Sequence, residues 1–90
     1  MSCNNYNNIV KSADYTYKYE LAKQYYIQGW YTRASYLLND VIKPLKGTDR
    51  GEEALFLLGL SDFNGRNLQA ASLTFQKYIE TYPRGVYAES

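Results

Sequence analysis

The sequence contains no histidine, so the commonest general base at neutral pH and the commonest metal ligand are both missing. A single cysteine, Cys3, excludes an internal disulfide. Ten basic and nine acidic residues are dispersed along the chain and leave a net charge of +1, so no electrostatic footprint for nucleic acid is present. There is no phosphate-cradling loop, no serine elbow and no set of metal ligands at a recognised spacing. These absences argue against an enzyme and leave no expected catalytic, metal-binding or cofactor-binding residue.

What is present is apolar and aromatic. Hydrophobic residues make up 46% of the 90, which suits one domain with a modest core. Eleven residues are tyrosine, far more than a helical domain needs for packing.

The stretch LFLLGLSDFNGRNLQAASLTFQKYIETYP, from Leu55 to Pro83, reads at a helical period as two amphipathic helices joined by a tight polar turn. The first carries Leu55, Leu58 and Gly59 and breaks at Asn64-Gly65, where the glycine is expected to take the left-handed conformation that ends a helix. The second opens on Asn67 as N-cap, places Leu68, Ala71, Phe75, Tyr78 and Ile79 on one face, and stops before Pro83.

An earlier stretch, LAKQYYIQGWYTRASYLLNDVIKPLKG, repeats the design around a break at Gly29. Aligning Ala34 on Ala71 places Ala22 on Gly59, Tyr31 on Leu68, Leu38 on Phe75 and Val41 on Tyr78. The period is 37 residues, close to the roughly 34-residue repeat of tetratricopeptide arrays. Small residues at Ala22 and Gly59, and at Ala34 and Ala71, let paired helices approach closely, while larger ones fill the space between hairpins. The expected fold is all-α: tetratricopeptide (TPR)-like helical hairpin repeats in an α-α superhelix, with hairpins over 12–47 and 48–83. The competing reading is a helical bundle whose two hairpins are alike by chance.

Residues 1–11, with Asn4, Asn5, Asn7 and Asn8, read as a polar tether. Ser12 or Asp14 is expected to cap the first helix and Thr32 to open the second, with Pro44 near its end and Lys46-Gly47 as its C-terminal signature. Asp49 and Glu52 have the spacing of a capping box, and with Glu53 they suit a helix N-terminus. Residues 84–90 read as the start of a truncated third repeat, with Val86 opening its first helix. Asp62 falls at a hairpin interface where it needs a partner, and Arg66 is the expected one.

In tetratricopeptide arrays the first helix of each hairpin lines a concave groove. In this register the lining positions are Tyr19, Lys23, Tyr26 and Ile27, then Phe56, Leu60, Phe63 and Asn64, with Tyr87 continuing the line. Of these, Tyr19, Lys23, Tyr26, Phe56, Leu60 and Phe63 form the expected peptide- or partner-binding groove. Its aromatic and aliphatic character suits an extended or helical polypeptide with apolar anchors. The alternative is that these rings pack against a further repeat or against the tether. Cys3, following Ser2 and preceding the asparagines, reads either as an incidental thiol or as the end of a lipoprotein signal.

Three segments, SADYTYKYELAKQYY, GWYTRASYLLNDVIKPLKGT and the closing YPRGVYAE, make the chain resemble the N-terminal region of the BamD/YfiO-like family. These are tetratricopeptide lipoproteins of the outer-membrane β-barrel assembly (BAM) machinery, and the likeness is to Bacteroidetes forms. The resemblance spans nearly the whole chain, although Asp62 stands where such repeats usually have tyrosine and Arg66 where glycine is common. It implies lipidation of Cys3, anchoring at the periplasmic face of the outer membrane, and a groove that takes part in recognising unfolded outer-membrane proteins. It also implies that contacts with the barrel subunit lie largely in C-terminal repeats outside this sequence. The expected partners are assembly subunits and unfolded outer-membrane protein segments, not nucleic acid or a small-molecule substrate. The other reading is a generic tetratricopeptide scaffold or adaptor lipoprotein that braces a different envelope complex.

Overall fold

The computed structural model describes residues 14–88; the expected tether 1–11, its Cys3 and Ser12 lie outside the described residues. Among the described residues there are four helices: α1 (Tyr15–Ile27), α2 (Tyr31–Val41), α3 (Asp49–Asn64) and α4 (Leu68–Thr81). The described residues contain no strand, so the fold is all-α. α1 packs on α2, α3 on α4, and α3 lies against α2 and more lightly against α1, which lays one hairpin on the other.

The helix boundaries follow from local chemistry. Asp14 caps α1, its carboxylate accepting from the Tyr17 N–H at 3.0 Å. α1 ends where Gly29 turns left-handed (φ 83°), with Gly29 N–H donating to Tyr26 C=O at 3.0 Å and Trp30 N–H to Tyr25 C=O at 2.8 Å. This pair of bonds is a Schellman turn. The same turn recurs one repeat later. Arg66 (φ 70°) donates to Phe63 C=O at 3.1 Å and Asn67 N–H to Asp62 C=O at 2.8 Å.

That turn corrects one expectation: Gly65 has an ordinary φ of −80°, and the left-handed residue is Arg66. The bond from Asn67 back to Asp62 fixes the reversal one residue after Gly65, and it leaves Asn67 free to cap α4 by accepting from Ala70 N–H at 3.4 Å. α2 starts at Tyr31 rather than Thr32, with Trp30 at a cap position that makes no side-chain bond. The expected Asp49–Glu52 capping box is also displaced. Thr48 is the N-cap of α3, its hydroxyl accepting from Gly51 N–H at 3.1 Å. The Glu52 carboxylate is instead engaged by the Tyr78 hydroxyl and the Val86 N–H, each at 2.7 Å.

Ala22, Ala34, Leu37, Leu38, Val41 and Ala54 are fully buried where the hairpins meet. The small residues sit where close approach demands them. The Phe75 ring lies 2.5 Å from where a Cβ on Gly59 would be, and a Cβ on Gly51 would overlap the Leu45 carbonyl. The expected inner face of α4 is only half covered. Ala71 and Tyr78 are buried, but Leu68 and Ile79 are exposed, because no described helix lies against that flank.

The expected Asp62–Arg66 pair does not form. Asp62 accepts from the Ser35 hydroxyl at 2.8 Å, so its partner comes from α2, while Arg66 sits exposed at the turn.

Tyrosine hydroxyls fasten the layers together. Tyr26 on α1 accepts from the Asn64 amide at the end of α3 at 3.1 Å, and Tyr82 accepts from Gly47 N–H at 3.1 Å. Tyr19 donates to Glu53 and Tyr78 to Glu52.

Candidate functional site

Positions three and four apart on a helix share a face, and this is how each first helix presents its groove residues. Lys23, Tyr26 and Ile27 of α1 meet Glu53, Phe56, Leu57 and Leu60 of α3, with Tyr87 at one side, around a cleft of about 250 Å³. A second cleft of about 260 Å³ adjoins it, lined by Phe56, Leu60, Phe75, Tyr78, Ile79, Tyr87 and Ala88.

Four of the six groove residues expected from the sequence, Lys23, Tyr26, Phe56 and Leu60, come together in the first cleft. Two do not. Tyr19 is 4% exposed and belongs to the core, its hydroxyl donating to Glu53 and its ring lying 5.1 Å from the Lys23 ammonium. Its place is among the supports of the cleft's charged end. Phe63 is 55% exposed and lines neither cleft. One position further along α3, the Asn64 amide donates to the Tyr26 hydroxyl at 3.1 Å.

Phe56 is the centre of the aromatic cluster. Its ring stacks on Tyr87 at 4.5 Å with an interplanar angle of 5°, meets Tyr78 edge-on at 5.6 Å, and lies 5.8 Å from Phe75. Such contacts contribute about 0.5–1.5 kcal/mol each beyond burial, and three of them converge on Phe56.

The charged end is internally satisfied. Lys23 pairs with Glu53 at 2.9 Å, and Glu53 also receives the hydroxyls of Tyr19 and, at 3.4 Å, Tyr87. The hydrogen bond from Tyr19, followed by that from Lys23, holds the Glu53 carboxyl below its ordinary 4.5. Its bond to Glu53 holds the Lys23 ammonium above 10.5. Burial, then the bond to Glu53, pushes the Tyr19 phenol above 10.0. Lys23 is therefore already committed to a carboxylate, and the cleft offers an incoming segment an apolar surface.

Glu53 and Leu57 in the first cleft, and Phe75, Tyr78, Ile79 and Ala88 in the second, are lining residues outside the expected groove. A signal existed: Glu53 lies one turn before Phe56 on the same face, but it reads equally well as an acidic residue suited to a helix start. Among the described residues no group of three or more candidate ligands lies together to hold a metal ion, and no helix is long and apolar enough to cross a membrane.

No family model, curated protein or solved structure matches the chain.

Proposed function

We propose that this chain is a non-enzymatic, tetratricopeptide-like part of the outer-membrane β-barrel assembly machinery, binding unfolded outer-membrane protein segments, partner subunits or both. The observation that carries the reading is that Tyr26 of α1 and Phe56 and Leu60 of α3, from equivalent helices of two hairpins, wall one apolar cleft. The recurrence of one left-handed turn at Gly29 and Arg66 supports describing the hairpins as tandem repeats. The assembly role draws on the resemblance of the SADYTYKYELAKQYY and GWYTRASYLLNDVIKPLKGT segments to the BamD/YfiO-like family. Lipid anchoring through Cys3 and a place at the periplasmic face of the outer membrane belong to the same reading.

The mechanism is reversible burial without covalent chemistry. Fully burying one large apolar side chain contributes about 1.5–3 kcal/mol, whereas micromolar affinity needs about 8 kcal/mol net of ordering costs. An extended segment must therefore seat several anchors, one of them against Phe56. Titration with aromatic-containing terminal segments of nascent β-barrel proteins tests this. Phe56→Ser is expected to weaken binding about tenfold or more, and equal affinity in the two proteins overturns the site.

A second reading, a scaffold that braces a partner in another envelope complex, is favoured by Leu68 and Leu73, which are exposed on α4 and line neither cleft. Hydrogen-exchange protection of α4 by a folded partner, with none of the clefts by peptides, would select it.

A further inference from the structure

Three residues, Phe56, Leu60 and Tyr87, line both clefts. Phe56 and Leu60 are fixed on α3, but Tyr87 lies in the non-helical run that follows α4. A small polar clasp holds it there. Val86 N–H donates to Glu52 Oε2 at 2.7 Å, the same oxygen that accepts from the Tyr78 hydroxyl at 2.7 Å, and Tyr87 N–H donates to that hydroxyl at 3.0 Å. Val86 itself is 82% exposed and adds no apolar anchor.

We propose that Gly85–Ala88 is an internal occupant of the groove: the Tyr87 ring holds the place of an aromatic side chain on the bound segment, and binding displaces it. The proposal rests on the groove reading above. The parallel stack covers a face of Phe56, on the groove floor, with a ring carried by the non-helical part of the wall. Each cleft, at about 250 and 260 Å³, falls short of the roughly 300–1,000 Å³ typical of ligand sites. With Tyr87 withdrawn the two become one groove within that range. An occupant present in most molecules lowers apparent affinity by the fraction of molecules left open, so a groove closed nine-tenths of the time binds about tenfold more weakly than an open one.

The test is a titration of the parent, Tyr87→Ala and Glu52→Gln with one phenylalanine-bearing extended peptide, together with amide exchange at Val86 and Tyr87. Glu52→Gln keeps the ring and loosens the clasp. Both variants are expected to bind about three- to tenfold more tightly than the parent, and in the parent the Val86 and Tyr87 amides should lose protection as peptide is added. If the parent binds but Tyr87→Ala binds equally or more weakly, with both parental amides still protected, Tyr87 is a fixed wall; displacement is then overturned while the groove reading stands. Absence of binding in all three proteins overturns both.

Discussion

Arg66 holds a backbone conformation that glycine would adopt without a Cβ penalty. At φ 70° it does the work of Gly29 one repeat earlier, so the structural equivalence is kept although the residue type is not. Replacing it removes a steric cost of about 1–2 kcal/mol, offset in part by the greater freedom of glycine in the unfolded chain. Arg66→Gly is expected to stabilise the protein by about 0.5–1 kcal/mol in urea unfolding. Gly65→Ala, at an ordinary φ, should give no comparable gain.

Glu53 sets a pH window. Its folded value lies below 4.5, so its pairing contributes stability above that value and loses it as pH falls through the lowered folded value. Lys23 and Tyr19 lie above 10.5 and 10.0, so their share is complete below those values and is lost as pH rises through the raised ones. The carboxylate is one-third exposed, and solvent screening limits the gain to about 1 kcal/mol. Thermal melts of the parent and Glu53→Gln should therefore differ most between about pH 5 and pH 10, and converge as pH falls through the lowered Glu53 value or rises through the raised Tyr19 and Lys23 values.

Residue-level partners were the least legible part of the sequence. Lys23 and Glu53 are 30 positions apart, and Asp62 finds Ser35 27 positions away; no local pattern encodes such pairs. The tempting local partner, Arg66, was excluded by the turn it helps to make.

At the scale of elements, the helices and their ends were largely readable, because a cap or a glycine reversal is decided within four or five residues. Asp14, Gly29 and Asn67 act where their spacing placed them, whereas α2 ends at Val41, before Pro44, and the left-handed Gly47 closes the turn over 42–47 that follows it rather than the helix itself. The shift from Asp49 to Thr48 arose because Glu52 is drawn into a tertiary contact with Tyr78 and Val86. The hairpin junction also depends on Gly51, which the sequence reading did not single out. A Cβ there would strike the Leu45 backbone carbonyl, and backbone cannot swing aside as a side-chain tip does. Gly51→Ala gains about 1 kcal/mol of helix propensity but forces α3 off the 42–47 turn at a cost of about 3 kcal/mol. A net loss of about 2 kcal/mol in the unfolding free energy is expected.

For the molecule as a whole, the sequence exposed its phase and concealed its depth. The 37-residue spacing pairs Tyr19 with Phe56, Lys23 with Leu60 and Tyr26 with Phe63, and of these pairs Lys23 and Leu60 both line the first cleft, while Tyr26 and Phe56 reach it from non-equivalent positions. It could not show that the Tyr19 side chain turns inward to Glu53, or that the Phe63 ring is exposed outside both clefts. Both depend on how α1 and α3 approach, which periodicity leaves undetermined. The many tyrosines likewise have two uses that composition cannot separate: ring surface in the clefts and hydroxyl ties between layers.

The central claim is that this cleft receives aromatic side chains from another polypeptide. Isotope-edited nuclear Overhauser contacts between a bound phenylalanine-bearing peptide and the labelled protein test it most directly. Contacts from the peptide ring to Tyr26, Phe56 and Leu60 are expected, and they should be lost in Phe56→Ser. Contacts confined to Leu68 and Leu73 of α4, or contacts unchanged in Phe56→Ser, would contradict it.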